Sequence, residues 1–210
     1  MPNTQAKNVL DFYIFSTKLK EIIRSGWKQW NVQSVRLESV AEHIFGTIML
    51  AIAIDSEYSY DIDIKKVALM LSVHELEEIV ISDITPFDGI SEEEKTKMGH
   101  EAIKKVLAPL SKGYSYESLI LEFDSRSTLD AKFAFMCDKL EANIMSYLYD
   151  KDDACTFENA TEYLKKNPTI LSLSENGKYG MGDCFYNLEL LLNRLDENFT
   201  EVLKIAKETI

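Results

Sequence analysis

The stretch VALMLSVHELEEIVISDITP (Val67–Pro86) begins as an apolar run and turns abruptly acidic around one histidine. Val67, Met70, Leu71, His74 and Glu78 recur at spacings of three and four, the period of one helix face. A helix is therefore expected from a cap at Asp63 to about Ser82, with His74 and Glu78 one turn apart on the same side. Glu75 lies about 100° round from His74, on a side shared with Ala68, Leu71 and Ile79. A carboxylate leaving such an apolar surface needs a partner, because an unpaired charge is costly to bury.

The same period dominates the rest of the chain. Val9, Phe12, Tyr13, Leu19, Ile22 and Ile23 form an apolar stripe over Val9–Arg24. Ser39-Val-Ala-Glu42 is a capping box for a helix to about Asp55, and Ser91-Glu-Glu-Glu94 opens another towards Leu107. Pro86 and Gly89 mark a loop, and Gly113 a further break. Ser127-Thr-Leu-Asp130 is expected to cap a long helix through Tyr149. The Gly-rich ENGKYGMGD (Glu175–Asp183) precedes a last helix over Cys184–Lys207, and Asp150–Leu173 carries only weak helical signal. No alternating strand, repeat or long linker interrupts this pattern, so an all-α, single-domain chain is expected over 1–210.

Composition narrows the function. At 210 residues with 46% hydrophobic content, the chain has material for a sizeable core. A formal net charge of −12 argues against gripping a long nucleic acid, yet it suits a cation that in turn attracts a small phosphorylated ligand. The opening MPNTQAKNVL is polar and no apolar run approaches the length of a membrane span, so no membrane partner is expected. Three cysteines without CxxC spacing point to reduced thiols in a cytoplasmic protein.

Two further helices carry ligand-type groups on apolar faces. His43 sits among Val40, Ile44, Phe45 and Thr47; Asp138 follows Ala131, Ala134 and Phe135 and precedes Ala142. One divalent cation held by His43, His74, Glu75 and Asp138 would resolve all these placements together, since imidazole and carboxylate are ordinary ligands for Mn, Fe, Co, Ni or Zn. Taken singly, each residue has a plainer use. His43 reads as a hydrogen-bonded core histidine, Asp138 as a partner of Lys139, Glu77 and Glu78 as a solvated face, Glu42 as half of its capping box, and His100 as an exposed helix residue.

The order His43, His74-Glu75, Asp138 resembles the H…HD…D signature of the HD-domain metal-dependent phosphohydrolases. RSGW (Arg24–Trp27), SVAEHIFGTIMLA (Ser39–Ala51), HELEEIVISDITP (His74–Pro86), SEEEK (Ser91–Lys95) and CDKLEA (Cys137–Ala142) resemble the branch containing the 5′-deoxynucleotidases, across core motifs from about residue 24 to 149. The resemblance implies an all-α HD fold, a divalent cofactor (Mg included), a small nucleotide substrate and release of phosphate from deoxynucleoside 5′-monophosphates. It implies that Glu78 handles a proton or coordinates a second metal, and that Asp83 lies near substrate or that second metal, with Ile84 and Thr85 as weaker neighbours. Arg24 is the implied phosphate-orienting group and Arg36 a second candidate. Trp27 would pack on the sugar or in the core.

A homodimer is also implied, for which Phe12, Tyr13, Phe15 and Trp30 offer apolar surface unless they are core. One position departs from the signature: the family's aspartate is Glu75, whose extra methylene obliges the side chain to fold back or the helix to shift. That departure keeps open a non-catalytic binding or assembly module, beside HD hydrolysis of a triphosphate or cyclic nucleotide.

Overall fold

Most helix starts among the described residues are set by short polar side chains that accept orphan backbone N–H groups. The computed structural model describes residues 3–85, 88–152 and 154–210; the expected Pro86 turn lies outside them. Twelve α-helices are found among the described residues: α1 (Thr4–Ser16), α2 (Ser25–Gln29), α3 (Val40–Glu57), α4 (Ile64–Val73), α5 (Glu78–Ile81), α6 (Glu92–Leu107), α7 (Gly113–Ser125), α8 (Leu129–Lys151), α9 (Glu162–Lys166), α10 (Pro168–Leu173), α11 (Met181–Leu192) and α12 (Glu197–Thr209). The only β-type pairing among them is one isolated bridge, Ile23 with Ser39. No described helix is long and apolar enough to cross a membrane.

The chain divides into two compact units, neither continuous in sequence. Residues 1–23 with 39–135 form the first, and residues 24–38 with 136–210 the second. In the first unit both capping boxes form as read. Ser39 Oγ accepts from Glu42 N while Glu42 Oε2 accepts from Ser39 N, and Ser91 and Glu94 repeat the arrangement. Asp63 caps α4 through Lys65 N and Lys66 N. Leu19, Val40, Leu76, Ile103, Leu107 and Ile120 build one core cluster, flanked by Phe12, Ile22, Ile44, Val73 and Ile79. Each such buried aliphatic side chain contributes about 1.5–3 kcal/mol. Gly113 begins α7 where nothing larger fits, since a Cβ there would lie 2.2 Å from the Leu107 carbonyl oxygen.

In the second unit Trp27 and Trp30 are core residues. Trp27 meets Tyr149 edge-on at 5.3 Å and stacks on Phe185 at 5.7 Å, and Trp30 meets Phe157 at 6.2 Å. The segment before α3 is stitched to that after α8 by Gln33 N donating to Ala154 O and Thr161 N donating to Gln29 O. Met181, Cys184, Phe199 and Leu203 are buried along α11 and α12.

Four sequence expectations need correction. The first helix ends at Ser16 and gives way to a 3₁₀ turn, Thr17–Lys20. The helix from Asp63 is not continuous: α4 stops at Val73, the chain turns through His74–Glu77, and α5 follows. Thr128, rather than Ser127, caps α8 by accepting from Ala131 N, while Ser127 Oγ pairs with Ser125 Oγ and Asp130 accepts from Asp63 N. The last helix is two, because Asn193 adopts φ 48°, ψ 50° and closes α11 before Asp196 caps α12. Of the aromatics offered as dimer surface unless core, Trp30 takes the core alternative: it is 1% exposed, packed inside the second unit.

Candidate metal centre

The turn at His74–Glu77 is where the first unit gathers its chemistry. Its hydrogen bonds tighten to three-residue closures, Leu76 N to Val73 O and Glu78 N to Glu75 O, both 3.2 Å. Leu76 is buried in the core cluster and anchors the turn, leaving Glu75 and Glu77 to emerge on either side. Glu75 thus stands on a break in the helix rather than within a continuous one.

His74 donates from Nδ1 to the Leu71 carbonyl at 2.7 Å. A carbonyl only accepts, so Nδ1 carries the hydrogen and Nε2 keeps its lone pair for a ligand role. Phe123 packs on the ring at 5.0 Å and fixes its plane. His43, fully buried one turn into α3, brings its ring to 5.8 Å from that of His74. Glu75 Oε1 lies 3.6 Å from His74 Nε2 and 3.8 Å from His43 Nε2. These separations are too long for hydrogen bonds, but they are close to the ~3.4 Å edge of a tetrahedron of donors at bond lengths of about 2.1 Å. Two imidazole nitrogens and one carboxylate, all buried, fit a divalent cation.

An acidic shell surrounds them. Glu78 is fully buried at the start of α5, with Oε1 4.0 Å from Lys95 Nζ on α6. Lys95 also donates to the Ile84 carbonyl at 2.8 Å. Burial works against the Lys95 charge, but Glu75, Glu78, Asp83 and Glu77 outweigh it and hold the ammonium above its ordinary value. Burial first, then Glu75, pushes the Glu77 carboxyl well above the usual carboxylate range. Its Oε2 is buried without a hydrogen-bond partner, and Gly99 leaves room for its stem. His100 is no lone surface histidine: its Nε2 lies 2.7 Å from Asp124 Oδ2.

The loop after α5 holds the remaining residues expected in this unit. Asp83 is partly exposed there, next to Ile84. Thr85 donates from N and Oγ1 to Asp88 Oδ2 at 2.6 and 2.8 Å. Ser82 enters the loop at φ 64°, ψ 168°, a conformation that side chains other than glycine resist.

In the second unit, Asp138 is 4% exposed on α8 with Oδ2 2.6 Å from Lys139 Nζ, so the pairing with Lys139 weighed from sequence is present. Arg24 is half-buried at the cap of α2 and Arg36 is exposed. Trp27, 2% exposed, donates from Nε1 to Glu38 Oε2 at 2.8 Å. Glu38, whose backbone N–H donates to the Tyr149 hydroxyl, was weighed in the sequence only as an ion-pair partner of Arg36, and Lys95 stood only inside the SEEEK block. The three cysteines are free and buried. Burial pushes the thiols of Cys155 and Cys184 up to about 12, and they stay protonated at neutral pH.

The family model described as HD domain matches residues 16–174, a span that contains His43, the His74–Glu75 turn and Asp138. The chain belongs to the HD-domain family. Among HD-domain relatives it is 32% identical over 151 residues to a protein named 5′-deoxynucleotidase HDDC2 from Dictyostelium discoideum, covering 69% of this chain and 78% of that one. The human protein of the same name is 32% identical over 148 residues, covering 69% and 70%. Among solved structures, a conserved hypothetical protein from Pyrococcus furiosus superposes with a TM-score of 0.68 at 23% identity, covering 95% of this chain and 99% of that one. A predicted metal-dependent phosphohydrolase from Magnetospirillum magnetotacticum gives 0.61 at 23% identity, covering 92% and 96%. Both share the all-helical fold expected of an HD domain.

Proposed function

We propose that this protein is a divalent-metal-dependent phosphohydrolase releasing phosphate from deoxynucleoside 5′-monophosphates. The observation that carries the reading is the convergence of His43 Nε2, His74 Nε2 and Glu75 Oε1 in a buried pocket. The relatives named 5′-deoxynucleotidase support the substrate class. In this reading Asp138 on α8 is the fourth ligand. A divalent ion supplies Lewis acidity towards a phosphoryl oxygen and acidifies a water near neutral pH.

The residues around that ion divide the remaining work. Hydrolysis joins the water oxygen to phosphorus and breaks the bond from phosphorus to the nucleoside 5′ oxygen, so a proton must pass from water to the departing oxygen. In this reading Glu78, fully buried at the start of α5, carries that proton, and Asp83 and Thr85 on the following loop act on the substrate. Arg24, less exposed than Arg36, is the better candidate to orient the phosphate through paired guanidinium bonds. Glu75 reaches both imidazoles, which favours a working site over a binding module that has lost turnover.

The metal-free protein reconstituted with Mn, Co, Fe, Ni, Zn or Mg is expected to release orthophosphate from deoxynucleoside monophosphates in preference to triphosphates or cyclic nucleotides. No release with any of these ions overturns the reading. We further propose a cytoplasmic homodimer. The exposed face of Val9, Leu10, Tyr13 and Ile14 on α1 supports the pairing, and a monomeric mass by light scattering excludes it.

A further inference from the structure

We propose that Lys95 is a positioning residue of this site: its ammonium ties the proton-handling Glu78 to the Ser82–Thr85 loop that carries Asp83. The role rests on the phosphohydrolase reading above, but its geometry stands separately. Lys95 is set by the capped start of α6, where its own N–H donates to Ser91 O at 2.9 Å, so its stem leaves a rigid helical turn. From there Nζ reaches the Ile84 carbonyl at 2.8 Å and comes to 4.0 Å from Glu78 Oε1. One side chain thus contacts the residue after Asp83 and faces the carboxylate that opens α5.

Two features require such a tether. Glu78 is 0% exposed, and a buried carboxylate is held ionised only with a compensating charge nearby. The loop also starts from a strained residue. Ser82 at φ 64°, ψ 168° occupies a region that costs a non-glycine residue of order 1–3 kcal/mol and persists only when its surroundings hold it. Ser82 N donating to Glu78 O at 2.9 Å holds the start of the loop, and the Lys95 bond to Ile84 holds it two residues on. An exposed surface ion pair would do little, but the Lys95 side chain is only 33% exposed and its partner Glu78 is fully buried.

Two variants test the tether. Lys95→Gln removes the charge and, one atom shorter, withdraws the donor from Ile84; Lys95→Arg keeps both the charge and a donor. With deoxyadenosine 5′-monophosphate as substrate, Lys95→Gln is expected to lower kcat by about tenfold or more while KM stays within about threefold, and Lys95→Arg to recover most of the loss. Amide hydrogen exchange over residues 78–85 is expected to quicken about tenfold in Lys95→Gln with little change in melting temperature. The assignment is overturned by a Lys95→Gln kcat within about twofold of the parent, by Lys95→Arg performing no better than Lys95→Gln, by unchanged exchange, or by a Lys95→Gln chain that circular dichroism finds unfolded. If the parent protein releases no phosphate while exchange quickens, the hydrolase reading fails and the tether stands. If the parent turns over and Lys95→Gln neither slows nor loosens, the reverse holds.

Discussion

Shortening Glu75 by one methylene tests whether this chain has built its site around glutamate. Glu75 Oε1 stands 3.6 Å from His74 Nε2 and 3.8 Å from His43 Nε2. Glu75→Asp withdraws the carboxylate by about one carbon–carbon bond, ~1.5 Å, against a coordination tolerance of about 0.2 Å. The turn at His74–Glu77 would have to rewind to restore contact, and Leu76, locked in the core cluster, resists that movement. One ligand bond is therefore lost or stretched. Metal affinity is expected to fall by at least about tenfold, about 1.4 kcal/mol, with kcat/KM at limiting metal falling in step. Titration calorimetry of metal-free protein with Mn²⁺ measures the first effect and phosphate release the second. An aspartate variant that binds metal more tightly and turns over faster would refute the reasoning, because the glutamate would then be a defect rather than an adaptation.

Further outcomes follow from single residues. Glu78→Gln is expected to lower kcat by about 10²–10⁴-fold while Mn²⁺ affinity by calorimetry stays close to the parent's. Ser82→Gly removes the cost of a side chain at φ 64° and is expected to add about 1 kcal/mol, raising the melting temperature by about 2–4 °C. Asp150, held up at about 6 by burial against an ordinary 3.8, favours its neutral form in the fold. Its effect on stability is nil at low pH, where the acid is protonated folded or unfolded. A penalty grows as pH rises from about 4 through 6 and is level above that. Asp150→Asn is thus expected to gain of order 1–2 kcal/mol at pH 7.5, allowing for partial exposure, and little at pH 4; a gain independent of pH in thermal melts contradicts this.

How much of the molecule was legible depended on range. Capping is an interaction over three residues, so Ser39–Glu42, Asp63 and Ser91–Glu94 were readable from adjacent letters and are present in the fold. The break at His74–Glu77 was not, because a 3₁₀ closure leaves the three-and-four apolar spacing nearly unchanged. The end of α11 was missed for a similar reason: no Gly or Pro follows Leu190–Leu192 to mark a stop, and the left-handed backbone of Asn193 ends the helix. The grouping of His43, His74 and Glu75 was proposed from ligand-type residues on apolar faces, costly without a partner, together with the H…HD…D resemblance. Lys95 was hidden, since a lysine after three glutamates reads as a solvated face until α6 packs against α5 and brings it to Ile84. Trp27 and Trp30 needed the second unit's packing to be told from surface aromatics.

Crystals of metal-free protein soaked in Mn²⁺ and measured for anomalous scattering test the central claim most directly. The account predicts one strong peak within about 2.0–2.3 Å of His43 Nε2, His74 Nε2, a Glu75 oxygen and an Asp138 oxygen. A map without that peak, or with manganese bound elsewhere and the Asp138 carboxylate out of reach of both imidazoles, contradicts it.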